Sequence, residues 1–219
     1  MATTTSSAAP LSLASVTLEV ADPEAALRFY SAFGVDAYVR LRASEAPSTG
    51  FRGFTLALTV AGPATVDTFF RAAVDAGATV LKPAAKSFWG YSGVVQAPDG
   101  AIWKIATSGK KGSGPAALEV DDVVLLMGVE SVKATRQLYA DRGLPVAKSF
   151  GGKYAEFAPG PLSPVKLALY KRRALAKDLG VPVDGTGSHR IVLGSTTDAF
   201  TDLDGFSWEA DTSASSPRP

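Results

Sequence analysis

The sequence predicts an α+β fold made of two related halves, and three observations support this prediction. The segments that begin at Ser15 and at Asp122 open alike, each as an alternating strand followed by a capped helix that ends at a glycine. Both halves close on an Asp-Gly turn before a short strand, at residues 99–100 and 204–205. Between the halves, residues 108–115 have the glycine, serine and lysine content of a flexible linker.

The first half is expected to contain two helices and six strands. In the helix after Asp22, four apolar residues fall at positions i, i+3, i+4 and i+7 and form one stripe that faces a sheet: Ala26, Phe29, Tyr30 and Phe33. A second helix is predicted over residues 64–76. The strands are expected near residues 15–20, 37–41, 54–60, 79–82, 93–97 and 102–106.

The second half is expected to begin like the first and to end differently. After its opening strand and helix, strands are predicted near residues 146–150, 154–158 and 165–170, followed by a short helix over 173–179. The chain then runs directly to residues 189–194 and a final strand, which leaves no room for a second long helix.

This pattern divides the chain into five parts. Residues 1–11 and 212–219 are expected to be disordered tails. A first domain is predicted over residues 12–108 and a second, truncated domain over 117–211, with a linker at 109–116 between them.

Composition excludes several classes of function. The formal net charge of +1, without a visible cluster of Lys and Arg, gives no electrostatic basis for binding nucleic acid. The chain contains no cysteine, which excludes disulfides and thiolate chemistry. No apolar run approaches the ~20 residues that span a bilayer. The first residues also lack the pattern of a secretory signal, so a cytoplasmic protein without a membrane partner is expected.

Several motifs are similar to those of one known superfamily. They are residues 16–20, 75–83, 88–93 and 97–103 in the first half, and residues 165–180 and 204–209 in the second. Together they resemble the vicinal oxygen chelate superfamily, which includes glyoxalase, bleomycin-resistance and dioxygenase proteins. The resemblance covers nearly everything from about residue 12 to residue 211, and it implies tandem βαβββ modules whose curled strands form a cup.

In this interpretation each half lacks part of one module. The first half has a shortened first module, and the second half has a second module without its helix. An uncovered sheet face would leave apolar surface in water. We therefore expect the truncated modules to pack against each other or to complete one another across a homodimer.

The resemblance also implies where a metal would bind. In this superfamily, His, Glu or Gln side chains project into the cup from the first, fourth, fifth and eighth strands, and such N/O sites suit divalent ions. In the first half the corresponding positions are Ser15, a residue near Thr55, and Lys104, which form no ligand set. In the second half they are Asp122, His189 and Glu209, so a divalent metal on these three residues stays open.

His189 and Glu209 are therefore the candidate catalytic residues. His189 is the only histidine of the chain, and histidine serves both as a metal ligand and as an acid or base near neutral pH. Alternatively, His189 forms a hydrogen bond to the turn before it, and Glu209 lies on the solvent side of an alternating strand.

A second candidate site is a group of aromatic and polar residues in the first half. Aromatic side chains around a few polar groups are typical of a small-molecule pocket. The alternative is that Phe88 and Trp89 pack in the core against the second helix, while Lys82 and Lys86 face water. The candidate ligand-binding residues are Phe88, Trp89, Tyr91, Gln96 and Trp103.

Three functions remain open at this point. The leading hypothesis is a glyoxalase/bleomycin-resistance-like protein with a degenerate metal site, which binds a small organic molecule in the cup of the first half and needs no cofactor. The second is a metal-dependent lyase, isomerase or dioxygenase that uses His189 and Glu209. The third is a non-catalytic, dimeric assembly protein.

Overall fold

The computed structural model describes residues 10–88, 90–109, 118–160 and 163–211. Nearly all of the two predicted tails, most of the predicted linker, and Trp89 lie outside the described residues. Within the described ranges no helix is both long enough and apolar enough to cross a membrane. The described helices are α1 (Pro23–Phe33), α2 (Pro63–Asp75), α3 (Val132–Asp141) and α4 (Arg172–Leu179).

The strands follow the predicted order, with one shift and several additions. In the first half they are β1 (Leu13–Val20), β2 (Arg40–Ala43), β3 (Ser48–Gly50), β4 (Phe54–Thr59), β5 (Thr79–Ser87), β6 (Gly90–Gln96) and β7 (Ile102–Thr107). In the second half they are β8 (Asp122–Val129), β9 (Val146–Phe150), β10 (Tyr154–Phe157), β11 (Val165–Lys171), β12 (Gly185–Gly187), β13 (Ile191–Ser195), β14 (Phe200–Thr201) and β15 (Ser207–Ala210). The shift concerns β2: Asp36–Tyr38 form a single 3-10 turn, so this strand starts later than predicted.

Helix α1 forms because its two ends are capped as the sequence predicts. The Asp22 side chain accepts hydrogen bonds from the backbone N–H groups of Glu24 and Ala25, both at 3.0 Å. Gly34 ends the helix in the left-handed conformation, with φ of 83°. The predicted apolar stripe of this helix is buried.

Both large sheets draw strands from both halves of the chain. The eight-stranded sheet has the order β5-β6-β7-β4-β8-β11-β10-β9, and its two halves join where β4 pairs antiparallel with β8. The five-stranded sheet has the order β14-β15-β13-β1-β2, with β1 antiparallel to β13. The two truncated modules thus pair with each other inside a single chain, which was one of the two predicted arrangements; the other was pairing across a homodimer. The short strands β3 and β12 pair separately.

A single large core joins α1, α2 and α3 to both sheets, and it contains two buried tyrosines with carboxylate partners. The Tyr30 hydroxyl donates to the Asp99 carboxylate at 2.6 Å, and the Tyr139 hydroxyl donates to the Asp202 carboxylate at 2.5 Å. Burial raises the pKa of both tyrosines and that of Asp202. In each case a helix tyrosine is tied to an aspartate at the end of its half, Asp99 of the first Asp-Gly turn and Asp202 just before the second.

Candidate functional site

The eight-stranded sheet has two faces of different character. Alternate strand residues such as Leu56, Trp103 and Leu125 are buried in the main core. The residues between them, such as Val94 and Ile102, point to the opposite face and form a second, smaller apolar cluster. We call this opposite side the open face.

A central row crosses the open face through the four middle strands. The strand register places Lys166 on β11 beside Val124 on β8, Val124 beside Ala57 on β4, and Ala57 beside Lys104 on β7. The row is symmetric about the β4–β8 junction, with two small apolar residues between two lysines. Neither of these residue types is an N/O metal ligand of the kind that the resemblance implies.

Each lysine of this row has an acidic partner. Lys104 Nζ lies 2.6 Å from Asp178 Oδ2, and Lys166 Nζ lies 2.5 Å from Asp122 Oδ1. Asp122 therefore belongs to the eight-stranded sheet. It does not join His189 and Glu209, which belong with the five-stranded sheet.

Helix α4 covers part of the open face. Its buried residues Leu175, Ala176 and Leu179 pack in the same cluster as Val94 and Ile102. An apolar stripe on a short helix thus replaces water on this part of the sheet.

Hydrogen bonds fix both ends of α4. Arg172 Nη2 donates to the Phe51 carbonyl at 2.7 Å. At the other end, Lys82 Nζ donates to the carbonyls of Lys177, at 3.2 Å, and of Asp178. A lysine at the carboxyl end of a helix neutralises unpaired carbonyls and the negative end of the helix dipole.

A cavity of about 330 Å³ remains between the end of α4 and strands β5, β6 and β7. We call it the β5–β7 cavity. Its wall combines three lysines and one aspartate with small apolar residues and hydroxyls. The lining residues include Lys82, Lys86, Lys104, Asp178, Ala85, Ser92, Val94, Ala106 and Thr107.

The predicted ligand-binding residues are placed differently from one another. Tyr91 lines the β5–β7 cavity, and its hydroxyl donates to Asp67 Oδ1 on α2 at 2.7 Å. Gln96 donates from Nε2 to the Gly100 carbonyl at 3.2 Å, and it does not line the cavity. Phe88 is 87% exposed at the end of the β5–β6 hairpin.

Trp103 is not a cavity residue. Its ring is fully buried, with ring centroids 5.7 Å from Tyr30 and 5.4 Å from Phe33. The alternation of strand β7 explains this position, because it turns Trp103 to the core and Lys104 to the open face. Trp103 therefore packs in the core against α1, and its prediction as a ligand-binding residue is wrong.

A second cavity, of about 460 Å³, lies beside the five-stranded sheet and brings His189 and Glu209 to one site. Glu209 is bound to Arg42, whose Nη1 donates to Glu209 Oε2 at 2.8 Å and whose Nη2 donates to Glu19 Oε1 at 2.7 Å. The hydrogen bonds that Arg42 donates raise its pKa, those to Glu209 most. A guanidinium group therefore lies between the two carboxylates.

His189 is held by hydrogen bonds on both sides of its ring. Nδ1 lies 2.5 Å from the Arg52 carbonyl oxygen, and Nε2 lies 2.9 Å from the Asp204 carbonyl oxygen. The ring also stacks on Phe206 at 3.9 Å. Both ring nitrogens thus face backbone carbonyl oxygens, and the nitrogen that carries the proton donates to its carbonyl.

The arrangement of these modules is shared with proteins of known structure. The chain superposes on glyoxalase I from Zea mays with a TM-score of 0.56 and 12% identity, covering 90% of this chain and 91% of that chain. It superposes on a putative dioxygenase from Bacillus subtilis with a TM-score of 0.50 and 12% identity, covering 90% and 73% of the two chains. The chain has the glyoxalase fold.

At this identity the likeness shows the fold alone, and this fold is the one that the sequence resemblance implied. No protein-family model matches the sequence, and no curated protein is similar to it. What the glyoxalase fold does in this chain must therefore be argued from its own residues.

A metal does not fit the residues that this glyoxalase fold presents. Among the described residues, no three His, Cys, Asp or Glu side chains lie where they could hold one ion. The three predicted ligands are each engaged elsewhere: Asp122 with Lys166, Glu209 with Arg42, and His189 with two carbonyls. The hydrogen bond to the turn before His189, which was the alternative prediction, is not among its ring contacts, because both carbonyl partners come from more distant segments of the chain.

Arg42 and Glu19 line the second cavity and were not among the predicted site residues. Their signal is the alternation of β1 and of β2, which turns Glu19 and Arg42 to the same side of a parallel strand pair in register. The register itself, and hence the pairing, is not visible in the sequence.

Replacing Arg42 by methionine should cost little stability. The Arg42 side chain is 42% exposed, and exposed ion pairs contribute about 0.2–1 kcal/mol. We expect the free energy of unfolding, measured in urea, to decrease by an amount within that range. The decrease should be smaller in 1 M NaCl, where the Debye length is ~3 Å. Arg71→Met, at an exposed position of α2, is the matched control. A loss of more than about 3 kcal/mol would mean that the Arg42 network is buried and structural.

Proposed function

We propose that the protein binds a small organic molecule in the β5–β7 cavity, by shape and direct contact and without a metal. The observation that carries this proposal is the cavity itself, which lies on the open face of the sheet and beside the central row. Its volume of about 330 Å³ is at the lower end of the range of small-molecule sites. The strands that line the cavity belong to the first half, where the ligand was predicted to bind.

The residues of the central row support a binding role over a metal-dependent lyase, isomerase or dioxygenase. Lys104 and Lys166 hold positions on the open face that would repel a cation. The other candidate ligands, His189 and Glu209, lie on the second cavity and have protein partners. A binder needs only a wall of the right size and polarity, which the β5–β7 cavity provides.

A variant that fills the cavity tests the proposal. Ala106 lines the cavity on β7 and is half-buried. We expect anilinonaphthalenesulfonate, a fluorescent aromatic sulfonate, to bind saturably to the wild-type protein. Ala106→Leu should weaken this binding about tenfold or more, because added methyl groups occupy the ligand's volume.

The control is Ala147→Leu, the same substitution at an exposed position of edge strand β9. It should leave the dye affinity unchanged. Equal affinity of the wild type and Ala106→Leu would place the dye elsewhere and overturn the proposal. Circular dichroism of both variants establishes that each is folded.

A further inference from the structure

We infer that the ligand of the β5–β7 cavity is an organic anion with an apolar body. This inference rests on the proposed function and adds the chemical class of the ligand. It is carried by the balance of charge on the cavity wall and by the partners that each charge already has.

The cavity wall has a surplus of two formal positive charges. Lys82, Lys86 and Lys104 line it, against Asp178 as the acidic member of the lining. The carboxyl end of α4 adds a partial negative charge of roughly half a unit. A positive potential therefore remains in the cavity, which favours an anion and disfavours a cation.

The three lysines are not equivalent. Lys82 is committed to the end of α4, and Lys104 is paired with Asp178. Lys86 is exposed and has no acidic partner among the described residues. An entering anion would thus meet Lys86 first, and would share Lys104 with Asp178.

The remaining wall defines the other part of the ligand. Pro83, Ala85, Val94 and Ala106 add apolar residues to the lining, and Ser92 adds a hydroxyl. A fully polar ion such as free phosphate would leave this apolar surface in contact with water. A molecule that carries one carboxylate, sulfonate or phosphate on an aliphatic or aromatic body fits both parts of the wall.

A pair of dyes that differ in one charged group tests the inference. Anilinonaphthalenesulfonate carries a sulfonate, and N-phenylnaphthylamine has the same ring system without it. We expect the anionic dye to bind the wild-type protein about tenfold more tightly than the neutral dye, and its affinity to fall with ionic strength. The affinity of the neutral dye should not depend on salt.

Charge variants of the cavity should change the affinity in opposite directions. Lys86→Met should weaken binding of the anionic dye about fivefold, and Asp178→Asn should strengthen it by a similar factor, because a partly exposed charge has an effect of this order. Neither variant should change binding of the neutral dye. Lys133→Met, at an exposed position of α3, is the matched control and should change neither.

The outcomes separate this inference from the proposed function. Both dyes could bind the wild-type protein equally, lose affinity in Ala106→Leu, and keep their affinity in Lys86→Met and Asp178→Asn. In that case the cavity binds by apolar contact and the anion inference is wrong. If neither dye binds the wild-type protein, or if Ala106→Leu has no effect, the proposed function fails as well. Opposite shifts in Lys86→Met and Asp178→Asn support both.

Discussion

Trp103→Ala is expected to destabilise the protein by about 3–5 kcal/mol, the usual cost of removing a buried tryptophan. The indole ring is fully buried and contacts Tyr30 and Phe33 of α1, so its loss leaves a cavity where the helix meets the sheet. Urea unfolding followed by far-ultraviolet circular dichroism measures the change. Because Trp103 lies on the core side of β7, the variant should still bind anilinonaphthalenesulfonate under conditions where it is folded.

Phe88→Ala is the control for this prediction. Phe88 is an aromatic residue of the same candidate set, but it is 87% exposed, so its removal should change stability by no more than about 0.5 kcal/mol. If Trp103→Ala were as stable as the wild type and lost dye binding, Trp103 would be a cavity residue, as the sequence suggested.

Leu179→Ala is expected to have the second largest effect, about 2–5 kcal/mol. Leu179 is fully buried in the cluster that joins α4 to the open face. Because this cluster is separate from the main core, we expect α4 to lose protection before the sheets unfold. Hydrogen–deuterium exchange should show faster exchange over residues 172–180, with little change in the strands of the main core.

Lys177→Ala, on the exposed side of the same helix, is the matched control. The contact of Lys177 with Lys82 uses its backbone carbonyl, which the substitution keeps. Exchange in α4 should therefore match the wild type. Uniform loss of protection throughout the protein in Leu179→Ala would show that α4 unfolds only together with the two sheets.

The elements of this fold could be predicted where local chemistry determines them. The cap at Asp22, the apolar stripe and the glycine at position 34 predicted α1 within a residue or two at each end. Strand β5 continues past its predicted end at residue 82 and includes Pro83, which lies on an edge strand. An edge strand tolerates a proline, since one side of it needs no hydrogen-bond donor.

The pairing of the strands was less accessible. The incomplete halves indicated that the truncated modules would pair with each other. Whether they pair within one chain or across a dimer depends on the pairing of β1 with β13. That pairing joins segments separated by most of the sequence, and no local pattern encodes it.

The candidate site could be predicted only in part. The β5–β7 cavity is lined by strands of the first half, including Tyr91, and by Asp178 of α4, while Lys82, expected to face water, is half-buried and bonded to α4. The sequence predicted the short helix over residues 173–179, but it did not indicate which surface this helix covers. His189 was predicted as a catalytic residue and metal ligand. Its partners are two backbone carbonyls, which have no signature in the sequence.

The antiparallel contact between β1 and β13 has a consequence for how the chain folds. During synthesis, β1 emerges early and has only β2 as a neighbour until residues 191–195 have been made. Until then the backbone N–H and C=O groups on the other edge of β1 have no partner strand, and such an edge can pair with other chains. Closing a loop of this length also slows the search for the native pairing. The last strands made thus complete the sheet that the first strand began.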